Sequence, residues 1–170
     1  MAENIYAPPE SELQAETNDQ SNELAKRSSR FYAAVIDSLI GMVYGVPFML
    51  LVGPSLGFEL GQTQQPGTEY TVVAVIFGFI FFSLIHGYFL HINGQTIGKK
   101  VIGIKIVSTS HDNVSAAKIL GQRYLPISLV SAIPVLGQIL PLVDVLFIFR
   151  GDRRCIHDLI AGTCVIKCKS

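Results

Sequence analysis

The stretch FYAAVIDSLIGMVYGVPFMLLV, from Phe31 to Val52, carries one charge, Asp37, in an otherwise uncharged and mostly apolar run. As a helix rising 1.5 Å per residue, about 22 residues reach roughly 33 Å, enough to cross a hydrocarbon core of about 30 Å. Gly53-Pro54 stops it. A second stretch of the same kind, TVVAVIFGFIFFSLIHGYFLH from Thr71 to His91, has no Asp, Glu, Lys or Arg and is rich in phenylalanine (Phe77, Phe79, Phe81, Phe82). These two runs decide the fold class: an all-α integral membrane protein with full spans at about 31–53 and 71–92. Composition agrees, because 49% of the 170 residues are apolar and only 15% are charged, against about 25% charged in ordinary soluble domains. The length suits one domain. Net charge is zero and by itself says nothing about nucleic-acid or acidic partners; no nucleic-acid partner is expected.

Working outward, residues 1–25 are rich in Glu, Gln, Asn and Ser and hold no apolar run. They read as a disordered tail with neither the basic n-region nor the apolar core of a cleavable signal, leaving 26–170 as the membrane domain. Downstream of the second span the character changes. Residues 93–105, NGQTIGKKVIGIK, read as a Gly-rich turn leading into a strand at about 101–107. Ser115 caps a short amphipathic helix. A third hydrophobic segment, about 124–149, holds Pro126, Pro134 and Pro141. Interior prolines remove helix hydrogen bonds and clash with the preceding turn, so one straight helix is not expected there. A second strand is expected at about 163–167.

Charge bias orients the chain. Lys26, Arg27 and Arg30 precede the first span, the loop to the second span has no Lys or Arg, and Lys99, Lys100, Lys105, Lys118 and Arg123 follow the second. The N-terminus is therefore expected on the cytoplasmic side of a multi-pass protein in a bacterial cytoplasmic (inner) membrane. A third full span would place Arg150, Arg153, Arg154 and Lys167 outside. A re-entrant helical hairpin turning near Pro134 would return them to the cytoplasm and let the two strands pair; third and fourth short helices are the other form this segment can take. Cys155, Cys164 and Cys168 lack paired zinc-ligand spacing and read as reduced thiols, so no metal or cofactor is expected.

Three pieces of sequence, in order, resemble the RDD family. Arg30, Ala33 and Asp37 match its R-x2-A-x3-D element; GQTIGKKVIGIKIV is similar to its TxGK-x3-G-x2-V element; Asp144 to Leu146 and then HDLIAGTCV resemble its closing D-x-L and HD-x2-AGT-x-V elements. The resemblance covers residues 30–167. It implies a small polytopic membrane domain, and ligand transport or sodium/proton exchange is attached to some members. The family's second aspartate falls on Asp144 or on Asp158.

An ionisable group inside a membrane usually faces a bundle interior and marks an ion path, a proton relay or a buried partner. Asp37 is such a group, about 10 Å deeper than Arg30 on one helix face. Asp37 and Asp144 are expected to converge, with Arg30 or Arg123 neutralising part of their charge; the bland alternatives are a structural ion pair for Asp37 and backbone groups freed by Pro141 for Asp144. His86 is an accessory candidate, although a lone histidine is more often simply hydrogen-bonded. His157 and Asp158 are adjacent and cannot easily face each other, and no G-x-S-x-G element is present, so no enzyme is expected: Asp158 reads as a turn cap and His157 as bonded to backbone. Lys99 and Lys100 lack the frame of a phosphate loop and read as contacts to anionic head groups. Gly41 and Gly45 form a G-x-x-x-G that lets another helix approach closely. The functional expectation is exchange of a monovalent cation against protons, or carriage of a small ligand, through Asp37. The alternative is a non-transporting structural or accessory subunit that packs against a membrane partner or a second copy.

Overall fold

The first hydrophobic run forms helix α1, Arg27–Leu51, and the second forms α2, Thr68–Asn93; both are long and apolar enough to cross a membrane. The structure is a computed structural model that describes residues 23–61, 66–133 and 135–168. Most of the expected tail, 1–25, and Pro134, the expected turn of the third segment, lie outside the described residues. α1 tolerates Pro47 within it, as spanning helices do when neighbouring groups satisfy the freed carbonyl. Leu39, Met42, Val43, Leu51, Ile76, Ile80 and Leu84 stand exposed along the two helices, the surface a hydrocarbon solvent covers. The helices touch through a ladder of rings. Tyr44 stacks on Phe81 (5.5 Å between centroids), Phe81 on Phe77 (4.3 Å) and Phe77 on Phe48 (4.3 Å).

Beyond α2 the chain turns at Gly94, whose φ of 64° suits glycine; a Cβ there would also collide with the Ile106 carbonyl. Residues 97–102, expected as turn and early strand, are instead a helix, α3, Ile97–Ile102. Thr96 supplies its N-cap and Gly103, in the left-handed region, ends it. The local capping signal thus outweighs the alternation of Val101 and Ile102, and the strand starts later: β1 is Ile104–Ser108. It pairs antiparallel with β2, Thr163–Lys167, with Ile106 opposite Val165. Residues 23–25, placed by sequence in the tail, lie along the free edge of β2: Ala25 N–H donates to Val165 O (2.9 Å) and Lys167 N–H to Glu23 O (3.0 Å). One edge of the little sheet is covered in this way.

Ser115 caps a single turn, α4, Ala116–Lys118, which continues as a π-helical stretch, Ile119–Tyr124. The third segment is broken, as its prolines require. α5, Leu125–Ser131, starts with Pro126 in its first turn, where the missing N–H costs nothing. α6, Leu136–Leu146, contains Pro141 and ends in a 3-10 turn, Phe147–Phe149. α5 and α6 pack against each other. A last short helix, α7, Ile156–Ala161, leads through Gly162 into β2. The main core lies where the sheet meets the ends of the spans, and includes Ala33, Leu90, Ile104, Ile106, Ile119 and Val165. Residues 23–26, 94–124 and 150–168 are referred to below as the cap.

Candidate functional site

The polar residues of this chain gather in three groups where the cap meets the helices. The first is built on Asp158, the third residue of α7. Its Oδ2 accepts the Cys155 N–H (3.1 Å), closing the helix's first turn as a capping box. The carboxylate does far more than cap. Arg123, from the π-helical stretch, pairs with Oδ1, and Arg30, from the first turn of α1, pairs with Oδ2. Arg123 also donates to Thr163 Oγ1 (2.9 Å). Arg154 closes the group from behind, donating to the Thr163 carbonyl (3.0 Å) and the Asp158 carbonyl (3.2 Å). The Asp158 side chain is 0% exposed and that of Arg123 2%. Burial by itself would raise the Asp158 carboxyl, but Arg123, with His157 and Arg30, holds it well below the usual carboxylate range. α1, the π-helical stretch and α7 are thereby joined at one ionised carboxylate.

The second group surrounds Asp37. Its carboxylate accepts the Thr96 hydroxyl (2.5 Å) and the Gly98 N–H (2.8 Å), with Lys99 Nζ at 3.7 Å. Gly98 is what permits this seat: a Cβ there would fall on the Ala33 carbonyl and 2.8 Å from Asp37 Oδ1. In the third group, Asp144 accepts both the His157 N–H (3.0 Å) and its Nδ1 (2.6 Å). Burial, and then the Arg123 charge, push the His157 imidazole below its ordinary value despite the opposing pull of Asp144 and Asp158, so at neutral pH it donates Nδ1–H as the uncharged ring.

The expected convergence of Asp37 with Asp144 does not occur: the two carboxylates share no partner, and Arg30 and Arg123 both serve Asp158. The reason lies in what packs at each level of α1. α7 meets its first turn, at Arg30, whereas α3 meets it two turns deeper, at Asp37. Asp144 is satisfied by His157 rather than by groups freed at Pro141, and His157 bonds a carboxylate side chain as well as using its backbone N–H. His86 is buried, with Nδ1 accepting the Ile97 N–H (3.2 Å), the ordinary state of a core histidine. Among the described residues, Gly41 and Gly45 seat no neighbouring helix of this chain: a Cβ at Gly45 would meet nothing within 4 Å and one at Gly41 only the Tyr44 hydroxyl. Thr96, Gly98 and Thr163 escaped the sequence reading as site residues. The quoted TIGKK and AGT elements held the signal for them, a capping threonine followed two residues later by a small residue that admits a carboxylate, and a threonine after the α7 stop.

Among the described residues, Asp144, Cys155 and His157 place ligand-type atoms within 4.8 Å of one another. Burial pushes the Cys155 thiol up to about 11, so the sulfur is held as the neutral thiol, the weaker metal ligand. The arrangement as it stands is a set of buried ionic and hydrogen-bonded joints.

The RDD family profile matches residues 24–162. An uncharacterised protein of Haemophilus influenzae is 31% identical over 147 residues, covering 84% of this chain and 78% of that relative. The uncharacterised membrane protein YteJ of Bacillus subtilis is 30% identical over 142 residues, covering 81% and 77%. No solved structure matches.

Proposed function

The chain belongs to the RDD family, and from that premise we propose that it is a non-transporting accessory subunit of a bacterial cytoplasmic membrane, whose buried ion cluster is a clamp rather than a conduit. The observation that carries this is the state of Asp158. A carboxylate that relays ions or protons has to change partners, and this one is fully buried between two guanidiniums, where loss of either partner would strand a buried charge. Asp37 and Asp144 are likewise already bonded.

The N-terminus is read as cytoplasmic from the Lys and Arg bias. The third segment is read as a re-entrant hairpin, and the pairing of β1 with β2 supports this by putting both ends of the segment on one side. The bacterial origin of both relatives supports the membrane assigned. The open Gly41/Gly45 face supports packing against a second copy or a membrane partner.

A transport reading rests on one feature, the 3.7 Å approach of Lys99 Nζ to a partly accessible Asp37, an ammonium standing where a cation could replace it. Reconstitution into proteoliposomes separates the two. The expected result is no sodium-, potassium- or lithium-driven proton flux above protein-free vesicles. Flux that disappears in Asp37→Asn, at matched incorporation and unchanged unfolding temperature, would overturn the accessory reading.

A further inference from the structure

A cavity of about 370 Å³ opens between the first turns of α1 and the end of α6, within the range of about 300–1,000 Å³ that small-molecule sites occupy. Its lining carries four cations, Arg27, Arg30, Lys99 and Arg123, beside apolar residues that include Phe31, Val145 and Phe149. Lys99 faces Asp37 at 3.7 Å, but the other lining cations are not matched one to one. Arg27 bonds only main-chain carbonyls, those of Ile148 (3.1 Å), Phe149 (3.4 Å) and Arg150 (3.5 Å), and has no carboxylate partner among the described residues. Arg123 shares its single carboxylate, Asp158, with Arg30. Its Nε is, among the described residues, the one buried side-chain polar atom without a hydrogen-bond partner, on a residue only 2% exposed. An orphaned donor on a buried cation costs free energy unless an acceptor arrives. The lining contains one carboxylate, Asp144, and His157 already occupies it.

The apolar side narrows the occupant further. Phe31 and Phe149 are 60% and 68% exposed, so the cavity opens sideways along the same helices whose outer faces suit hydrocarbon. Free phosphate would use Arg27 and leave this flank idle. A neutral lipid would use the flank and leave the cations unmatched. We propose that the cavity binds one anionic phospholipid, its phosphate held by Arg27 and its chains running out over Phe31, Val145 and Phe149. Guanidinium donors suit a phosphate diester, and the basic level of a cytoplasmic leaflet is where anionic head groups concentrate. The proposal rests on the cytoplasmic placement of the N-terminus but not on the Gly41/Gly45 face, and its test reads lipid retention rather than ion flux, so its failure and that of the accessory role are distinguishable.

The test uses the full chain in mild detergent, doped with phosphatidylglycerol, phosphatidylcholine or soluble glycerol phosphate, and read by native mass spectrometry and unfolding temperature. Phosphatidylglycerol is expected to be retained as a single adduct about tenfold more than phosphatidylcholine and to raise the unfolding temperature, with glycerol phosphate doing neither. Arg27→Gln should reduce retention to the phosphatidylcholine level. Ala34→Trp, which fills the cavity from α1 and keeps every charge, should do the same, so the result does not hang on one variant folding. Equal retention of the two lipids, or retention unchanged in a folded variant, would overturn the proposal. So would glycerol phosphate matching the lipid, which would make the site one for a soluble phosphate.

Discussion

The cap and the two spans are held by opposite means. In the cap, Ile104, Ile106, Ile119 and Val165 are buried almost completely, and the ion cluster beside them is buried as well. In each span, only 6% of the most apolar window is buried within the chain, and the helices meet through a few stacked rings. Water drives apolar groups together in the cap. Between helices in lipid that drive is absent, because hydrocarbon solvates Leu as well as a neighbouring helix does. What fixes the spans relative to each other is therefore the cap, through Arg30 and Asp37 of α1, whose partners Asp158, Thr96 and Gly98 all lie outside the spans.

Breaking the cap should accordingly cost most. Asp158→Asn leaves two guanidiniums without their carboxylate and should destabilise by about 3–5 kcal/mol, seen as a lower unfolding temperature in detergent. The pH dependence sharpens this. The carboxyl sits below its ordinary 3.8 in the folded chain, so its contribution is complete above that value and lost as pH falls through the folded one. Wild type should show an acid limb of instability below about pH 4 that Asp158→Asn lacks.

Next comes the α1–α3 joint. Gly98→Ala drives a methyl into the Ala33 carbonyl and the Asp37 carboxylate and should cost about 1–3 kcal/mol as overpacking, by the same unfolding assay. The ring ladder comes next: Phe77→Ala removes stacking on Phe48 and Phe81, worth at most about 1–3 kcal/mol for the two pairs together and less once lipid refills the gap. A loss equal to that of Asp158→Asn would erase the contrast between the halves. Smallest is Gly45→Leu, which meets open space and should leave unfolding unchanged while weakening association, measured by cross-linking in the membrane.

The spans were legible because hydropathy over twenty residues is a direct reading of solvent. The proline-broken segment and the capped turn at Ser115 were legible for similarly local reasons. Arg30, Asp37, Arg123, Asp144, His157 and Asp158 stood out by charge and place in the sequence, and they lie in the three polar groups beside Thr96, Gly98, Thr163 and Arg154, which did not stand out. Their partners could not be read. Arg30 finds Asp158 across 128 positions of sequence, and nothing local distinguishes that choice from Asp37, two turns away on its own helix. The capping of α3 by Thr96 was missed because Val101 and Ile102 imitate the alternation of a strand, and at short length the cap outweighs the pattern. Strand pairing in the cap followed from the sidedness of charge, while the covering strip at residues 23–25 left no pattern in so polar a stretch.

The most direct test of the clamp is hydrogen–deuterium exchange of the full chain in nanodiscs at neutral pH, comparing wild type with Asp158→Asn. β1, β2 and the strip at 23–25 should lose protection by at least tenfold while α1 and α2 keep theirs. Unchanged protection of the sheet in a folded variant would contradict the clamp, since Asp158 would then not be what fastens the cap to the spans.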